Sequence, residues 1–286
     1  MRKIGAHVSA AGGIDKAVER AKEIGANCVQ VFSGSPRVWA RPGLDKTDQQ
    51  KVFSKQKELS VTPIITHAIY LTNLASDNPE LLKKSIEVLK YDLRFDSYVK
   101  GSGVVVHLGS HQGRGWEPMR EQVAAAIAEV LADTPADSQL LIENSAGQNG
   151  KLCSDLSEIR WLLDTVKSER LGWCFDTCHA HAAGLALGKP GTQPSECRSA
   201  IEAIEAQNLW SALKVIHVND SRDAFGSGRD RHANLGDGEV NKEDFTFFLN
   251  YDAIKDIPLI LEVPGLDDEG PDAENVKRLR TLVGEA

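Results

Sequence analysis

Six short apolar runs in this sequence each end in a residue that could bind a metal ion. Two of these runs end at His67 and His107, and a third ends at the carboxylate of Glu143. The other three end at Asp176, His217 and Glu262. Imidazole nitrogens and carboxylate oxygens are ligands that suit zinc and manganese. This recurrence predicts that the chain gathers metal ligands at one end of its strands.

Two local spacings add further ligands. His179 follows Asp176 by three residues, which puts it on the opening turn of the next segment. Asp230 and His232 are two residues apart, so in an extended loop they share a face. The set then holds five histidines and four carboxylates. Because a catalytic zinc takes about three protein ligands, nine of them suit two or three ions rather than one.

The same residues have a structural interpretation when each is taken alone. A single histidine or glutamate at a strand end is more often a hydrogen-bonded structural residue than a ligand. Several buried carboxylates and imidazoles in one place are costly to desolvate, and cations offset that cost. The set therefore favours a metal site. Outside it, we expect Cys174 to be a core residue, His7 to support the site or contact substrate, and His111 and His181 to be solvated or supporting residues.

Eight apolar strands alternate with amphipathic helices along the chain. Strands are predicted at residues 4–7, 28–32, 63–67, 104–107, 140–143, 173–176, 213–218 and 258–262. Helices are predicted at 14–24, 47–59 with Thr47 as N-cap, from 78 onward, 116–132, 156–166, 179–187, 195–207, 242–249 and 271–283. Near-continuous apolar strands are typical of a parallel sheet covered on both faces. The pattern predicts an α/β fold, a single-domain TIM (β/α)8 barrel over residues 1–286, with a doubly wound open sheet as the alternative.

Composition narrows the class of protein. The 286 residues are 41% hydrophobic and 26% charged, which is ordinary for a soluble globular chain. No apolar run approaches the roughly 18 residues that span a membrane, and the N-terminus does not resemble a signal peptide. Five cysteines without a C-x-x-C pair favour a reducing, cytoplasmic location. The net charge of −8 argues mildly against nucleic-acid binding unless bound metals alter it.

The ordered motifs resemble the endonuclease IV family of apurinic/apyrimidinic (AP) endonucleases. The resemblance extends almost from end to end. It rests on IGAHVSAAGG at residues 4–13, HAIYLTNL at 67–74, HLGSH at 107–111, EN at 143–144, DTCHA at 176–180, HVNDS at 217–221, GRDRH at 228–232, LGDG at 235–238 and EVPG at 262–265.

The resemblance implies a trinuclear zinc site on a TIM barrel, with Mn²⁺ as an alternative at one position. His67 and His107 would hold the first ion, with Glu143 as a bridging carboxylate. Glu143, Asp176, His217 and Glu262 would hold the second. His179, Asp230 and His232 would hold the third. Glu143 would also act in catalysis, by orienting a hydroxide that bridges the metals and attacks the phosphate.

The family's activity supplies further expectations. It cuts the DNA backbone 5′ to an abasic site, leaving a 3′-hydroxyl and a 5′-deoxyribose phosphate, and it trims blocked 3′ ends. The expected partner is double-stranded DNA containing abasic sites, with no membrane association, and we expect a monomer. Three zinc ions would add six positive charges and bring the formal charge of −8 to −2.

DNA contacts are expected from loops at the barrel mouth. Arg37 and Tyr70 match family positions that push into the duplex at the lesion, and Arg229 and Arg231 are expected to contact phosphates. The same loops carry Arg41, Arg114 and Arg222. About half of the six loop arginines are expected to be merely solvated. The sequence departs from the family pattern in the loop 33–39, which lacks the usual Asn and Gln beside Arg37, and at Ile69 and His181.

Two other functions fit parts of the pattern. A metal-dependent sugar isomerase or epimerase could use the same barrel, but such enzymes usually hold one or two metals. The third-ion set of His179, Asp230 and His232 argues against it. A non-catalytic protein that senses damaged DNA or stores zinc is the other alternative. A cluster without cysteine thiolates argues against storage.

Overall fold

Eight parallel strands close into a barrel in this computed structural model, which describes residues 1–191 and 198–285. The strands are β1 (Ile4–His7), β2 (Cys28–Phe32), β3 (Ile64–His67), β4 (Val104–Val106), β5 (Leu140–Glu143), β6 (Leu171–Asp176), β7 (Leu213–His217) and β8 (Leu259–Leu261). They are adjacent in chain order, and β8 pairs with β1 to complete the ring. The predicted TIM barrel is confirmed, and the open doubly wound sheet is wrong.

Nine helices accompany the strands in the described residues. They are α1 (Ile14–Glu23), α2 (Gln49–Leu59), α3 (Pro79–Val99), α4 (Arg120–Ala132), α5 (Leu156–Val166), α6 (Thr177–Ala182), α7 (Ala200–Ala206), α8 (Lys242–Leu249) and α9 (Ala273–Leu282). Helix α6 lies at the C-terminal end of the barrel. Single 3-10 turns lie at Leu44–Lys46, Gln148–Gly150, Trp210–Ala212 and Asp252–Ile254. Among the described residues, none of the helices has both the length and the apolarity needed to cross a bilayer.

The inside of the barrel is built in layers that follow the two-residue period of a strand. Seven buried residues, one from each of β2 to β8, form one apolar layer. They are Cys28, Ile65, Val105, Leu141, Cys174, Val215 and Ile260. Cys174 is therefore a core residue, as predicted. Gly5 occupies the corresponding place on β1, where an added Cβ would lie 2.6 Å from the Cys28 carbonyl oxygen and sulfur. Side chains two positions further along each strand point inward again.

Several predicted boundaries are wrong, each for a local reason. Helix α2 is capped by Asp48, whose carboxylate accepts from the Lys51 amide, and not by Thr47. Residues 116–119 form a turn, and α4 begins at Arg120. The helix predicted at 179–187 ends early, at Ala182. Leu185–Ala186 is instead a short strand that pairs with Arg198–Ser199. The predicted helix start at Ser195 lies outside the described residues. The loop 219–240 contains a two-stranded ladder of Asp220–Ser221 and His232–Ala233.

Candidate metal centre

Eight polar side chains form the layer directly above the apolar one, at the C-terminal ends of the strands. Each lies two positions beyond an interior residue of its own strand, so the strand period alone brings the set together. The layer consists of His7, Gln30, His67, His107, Glu143, Asp176, His217 and Glu262. His179, Asp230 and His232 join it from α6 and from the loop after β7. All nine predicted ligands therefore meet at one end of the barrel.

Glu143 lies at the centre of the cluster, with its carboxylate fully buried. One oxygen, Oε2, lies 3.3 Å from Nε2 of His67 and 3.2 Å from Nε2 of His107. The other, Oε1, lies 3.0 Å from Nδ1 of His217 and 3.3 Å from Nδ1 of His179. Its two oxygens thus face different pairs of histidines, which is the arrangement of a bridging carboxylate.

Three histidines use one ring nitrogen to bond a backbone carbonyl. Nδ1 of His67 donates to the carbonyl oxygen of Ala68 at 2.7 Å. In the same way, Nδ1 of His179 donates to that of Asn144 at 2.9 Å, and Nδ1 of His232 to that of Glu262 at 3.2 Å. In the neutral ring, the remaining Nε2 then carries a lone pair. Those lone pairs face carboxylate oxygens, which also accept. Only a proton or a metal ion between the two acceptors makes the arrangement favourable.

Polar atoms without partners mark the same place. Among the described residues, Nε2 of His179 and of His232 and Nδ1 of His107 are buried and have no hydrogen-bond partner. Ligand atoms within 4.8 Å of one another form three groups. The first group is His67, His107 and Glu143. The second is Glu143, Asp176, His217 and Glu262. Both are the expected sets. This donor set of imidazoles and carboxylates fits zinc or manganese.

The third group is Asp176, His179 and His232, which differs in one member from the expected set. Asp230 is nevertheless within reach, since its Oδ1 lies 3.0 Å from Nε2 of His179 and 3.6 Å from Nε2 of His232. Oδ2 of Asp176 lies 3.8 Å from Nε2 of His232 and 3.9 Å from Nδ1 of His217. Asp176 therefore stands between the second and third groups, as Glu143 stands between the first and second.

The pKa values of the buried groups show which charge the cluster favours. Burial by itself raises the pKa of Glu143, but His107 and His217 outweigh burial and hold it well below its usual range. Burial likewise lowers the pKa of His179, but Asp176 and Asp230 raise it well above its usual range. Glu143 and Glu262 thus stay anionic, whereas burial raises the pKa of Asp176. The anionic groups attract positive charge into the cluster, which metal ions would supply at neutral pH.

Two asparagines hold the ligands in place, and the sequence reasoning gave neither a role. Asn219 donates from Nδ2 to Oδ2 of Asp176 at 2.6 Å, and its Oδ1 accepts from the Glu262 amide at 2.8 Å. Asn144 accepts from the Asp176 amide at 2.6 Å and donates back to the Asp176 carbonyl oxygen at 3.1 Å. Both directly follow or nearly follow a ligand, and that spacing is the signal that could have identified them.

The loop that carries Asp230 and His232 is anchored by Asp220. This buried carboxylate accepts from four backbone amides at 2.8–3.1 Å. They belong to Ser221, Gly236, Gly238 and Val240. A Cβ on Gly238 would collide with the carboxylate. The anchored loop then holds Asp230 and His232 in position beside His179 of α6.

A cleft of about 660 Å³ opens above the cluster. Its lining includes Arg37, Tyr70 and six of the nine proposed ligands, which are His67, His107, His179, Asp230, His232 and Glu262. The Tyr70 side chain is 64% exposed, and its ring packs edge-on against Phe32 at 5.3 Å between centroids. The exposed Arg229 and Arg231 both pair with the carboxylate of Asp223. Arg37 and Tyr70 thus line the cleft together with the acidic Asp268 and Glu269.

Other predicted residues have structural roles. Arg41 bonds the carbonyl oxygens of Ser35 and Val38, and Arg114 bonds those of His111 and Ala75, so both arginines shape their loops. Nδ1 of His111 accepts from the amides of Gly113 and Gly115.

His181 was expected to be a solvated or a supporting residue; it is buried, so the first alternative is wrong and the second stays a prediction. Its ring packs against Phe225 at 5.3 Å between centroids. Ile69, the other departure beside the site, is also buried.

Asp92 supports the loop that leads to Arg37. It is buried on α3, and its Oδ1 accepts from the hydroxyl of Ser33, at the start of that loop, at 2.5 Å. Burial raises the pKa of Asp92 to about 7. Because the unfolded carboxyl has a pKa of about 3.9, the folded chain binds more protons between about pH 4 and 7. Stability from this group is lost as the pH rises through that window.

Asp92→Asn should therefore flatten the pH dependence of stability. Asparagine keeps the acceptor for Ser33 and cannot ionise. We expect the melting temperature of the native protein to fall relative to that of the variant as the pH is raised from 4 to 8. Asp45→Asn, at an exposed position, serves as the control with an unchanged slope. Parallel curves for the native protein and Asp92→Asn would contradict the prediction.

Comparison with known proteins identifies the family. Residues 18–282 match the family profile described as a xylose isomerase-like TIM barrel. A probable endonuclease 4 from Halothermothrix orenii is 35% identical over 280 residues, which cover 97% of this chain and 99% of that protein. The chain belongs to the endonuclease IV family. A second relative with that name, from Methanoculleus marisnigri, is 36% identical over 283 residues, or 98% of this chain and 99% of its own.

Solved structures agree with the endonuclease IV assignment. Endonuclease IV from Thermus thermophilus matches with a TM-score of 0.84 at 31% identity, covering 99% of this chain and 100% of that one. A D-tagatose 3-epimerase-like protein matches with a TM-score of 0.71 at 19% identity, covering 99% and 97%. At that identity the second likeness shows a shared barrel fold alone.

Proposed function

We propose that this member of the endonuclease IV family cleaves the DNA backbone 5′ to abasic sites, leaving a 3′-hydroxyl and a 5′-deoxyribose phosphate. The observation that carries the proposal is the set of three ligand groups beside a cleft that Arg37 and Tyr70 also line. The relatives named probable endonuclease 4 support the same conclusion.

The proposed ligands fall into three sets, and the first two share the carboxylate of Glu143. His67, His107 and Glu143 would hold the first zinc, and Glu143, Asp176, His217 and Glu262 the second. His179, Asp230 and His232 would hold the third, with Mn²⁺ as an alternative to zinc at one of the sites. When bound, the ions would activate water near neutral pH and neutralise charge on the phosphate. Glu143 would hold and orient the attacking group, because its two oxygens face the two sides of the cluster.

DNA recognition is proposed to come from Arg37 and Tyr70, which line the cleft, and from Arg229 and Arg231, which flank Asp230 in the sequence. Arg37 and Tyr70 would enter the duplex at the gap left by the missing base, where an exposed ring can stack on a neighbouring base. Arg229 and Arg231 are paired with Asp223 and would exchange that partner for backbone phosphates. Such contacts give affinity without reading sequence.

The proposal is tested with a duplex oligonucleotide that carries one abasic analogue. The zinc-loaded protein should cut 5′ to the analogue, and prolonged chelation should abolish the cut until zinc is restored. A duplex with a 3′-phosphate should be trimmed to a 3′-hydroxyl by the same preparation. Absence of cleavage with three zinc ions bound would overturn the proposal, and small sugars would then be assayed as substrates of an isomerase or epimerase.

Tyr70→Ala should weaken binding to the lesion. Stacking of a base on an aromatic ring contributes about 1–3 kcal/mol, so the dissociation constant for an uncleavable abasic duplex should rise about 5- to 150-fold. Fluorescence anisotropy at one fixed salt concentration measures the change. Tyr70→Phe keeps the ring and should bind nearly as the native protein does. Equal losses in both variants would contradict a stacking role.

A further inference from the structure

Gln30 is a buried polar residue in the middle of an otherwise apolar strand. It lies on β2, whose interior positions carry none of the nine proposed ligands, and its side chain is inaccessible to solvent. Its position in the strand matches that of His7 on β1, with which it is paired in register. An amide in this place must find partners within the barrel, because a buried polar group without partners is costly.

The carboxamide of Gln30 connects two proposed ligands of the second ion. Its Nε2 donates to Oε1 of Glu262 at 2.6 Å, and its Oε1 accepts from Nε2 of His217 at 2.8 Å. The orientation of the amide follows from the carboxylate, which accepts and does not donate, so the amino group must face Glu262. The oxygen is then left for His217.

These two hydrogen bonds determine which atoms face the cluster. In the neutral ring, donation from Nε2 of His217 leaves the lone pair on Nδ1. That atom lies 3.2 Å from Oε2 of Glu262 and 3.0 Å from Oε1 of Glu143. Because Oε1 of Glu262 is taken by Gln30, Oε2 is the oxygen that points to His217. His7 completes the arrangement, with its Nδ1 2.9 Å from Oε1 of Glu262 and 3.0 Å from Nε2 of Gln30.

We propose that Gln30 is a positioning residue for the second metal ion: it fixes the tautomer of His217 and the rotation of the Glu262 carboxylate, and so sets how slowly that ion is released. This inference rests on the proposed metal centre. Removal of residues that orient metal ligands typically lowers metal affinity about 10–100-fold. The ions held by the first and third groups do not depend on Gln30, since it contacts no ligand specific to either group.

The experiment measures zinc release from the zinc-loaded protein into excess chelator with a coloured zinc indicator. Gln30→Met keeps the length of the side chain and removes both hydrogen bonds. One zinc ion per chain should leave about 10–100-fold faster than from the native protein, with the other two unchanged. Gln49→Met, on the outer helix α2, removes a glutamine that donates to the Tyr98 carbonyl oxygen and should leave all three rates unchanged.

A second measurement reports directly on the tautomer of His217. In ¹⁵N-resolved NMR spectra, the ring N–H of His217 should be lost or shifted in Gln30→Met. The N–H resonances of His67, His179 and His232, which donate to backbone carbonyls, should remain. If Gln30→Met does not fold, Gln30→Glu replaces it. That variant keeps the acceptor for His217 and sets two carboxylates against each other, so it should also release one zinc faster.

The outcomes separate this inference from the proposed function. Native protein that binds no zinc would overturn both. Native protein that binds three ions, with identical release from Gln30→Met, would overturn the role of Gln30 alone. Faster release of all three ions in equal proportion would also overturn it, because it would indicate general loosening of the barrel.

Discussion

Glu143→Gln is expected to lower cleavage at an abasic site at least about a thousandfold while the barrel stays folded. The substitution preserves the shape of the side chain but removes its charge. It also places an amino group where one of the two carboxylate oxygens now faces a pair of histidines at 3.0–3.3 Å. Glutamine cannot bridge two cations, and its amide cannot orient an attacking group as an anionic acceptor does.

The measurement is kcat on the abasic duplex with zinc content determined on the same sample. Glu158→Gln is the matched control, because Glu158 is a partly buried acid that accepts from the Cys153 amide at 2.6 Å and contacts none of the ligands. It should keep nearly native turnover. Circular dichroism and melting of both variants check the fold. Full activity of Glu143→Gln would remove Glu143 from the mechanism.

The fold and most of the proposed ligand set were predictable from the order of the strands and the two-residue period within each strand. Eight short apolar strands that alternate with helices predict the barrel. A residue of a metal-binding type at the end of such a strand can be recognised in the sequence. Since side chains alternate along a strand, the position two residues beyond a core residue must face inward. His67, Glu143 and His217 follow this rule from Ile65, Leu141 and Val215. The prediction needed no knowledge of tertiary contacts.

The same rule applies to Gln30, two residues beyond Cys28, yet the sequence reasoning missed it. Gln30 is followed by two more strand residues, Val31 and Phe32, so it does not terminate an apolar run. An amide also has no chemistry that identifies it as a ligand. Its role depends on hydrogen bonds to His217 and Glu262, which are 187 and 232 residues away in sequence. Residues so far apart in sequence come into contact because the barrel closes.

The sharing of Asp176 between two ligand groups was equally hidden. Asp230 and His232 lie in a loop of irregular backbone, and the position of that loop depends on the anchor at Asp220 and the short ladder with His232. Strand periodicity says nothing about such a loop. The third group was therefore expected from spacing and resemblance, and its geometry had to come from the structure.

Asp230→Asn is expected to reduce the zinc content from three ions to two and to lower kcat at least about a hundredfold. Oδ1 of Asp230 lies 3.0 Å from Nε2 of His179 and 3.6 Å from Nε2 of His232. It is the only carboxylate that belongs to the third ion alone, so the substitution leaves two neutral imidazoles and Asp176, which is shared with the second group. The first and second groups do not include Asp230 and should keep their ions.

Lys151→Met separates loss of the third ion from loss of an ion pair. The ammonium group of Lys151 lies 2.7 Å from Oδ2 of Asp230, and its removal leaves the carboxylate in place. This control should retain three zinc ions and most of the turnover. Three ions and near-native kcat in Asp230→Asn would exclude Asp230 as a ligand. Two ions with undiminished cleavage would show that the chemistry needs only the two groups joined by Glu143, and the third group would then lose its part in the reaction.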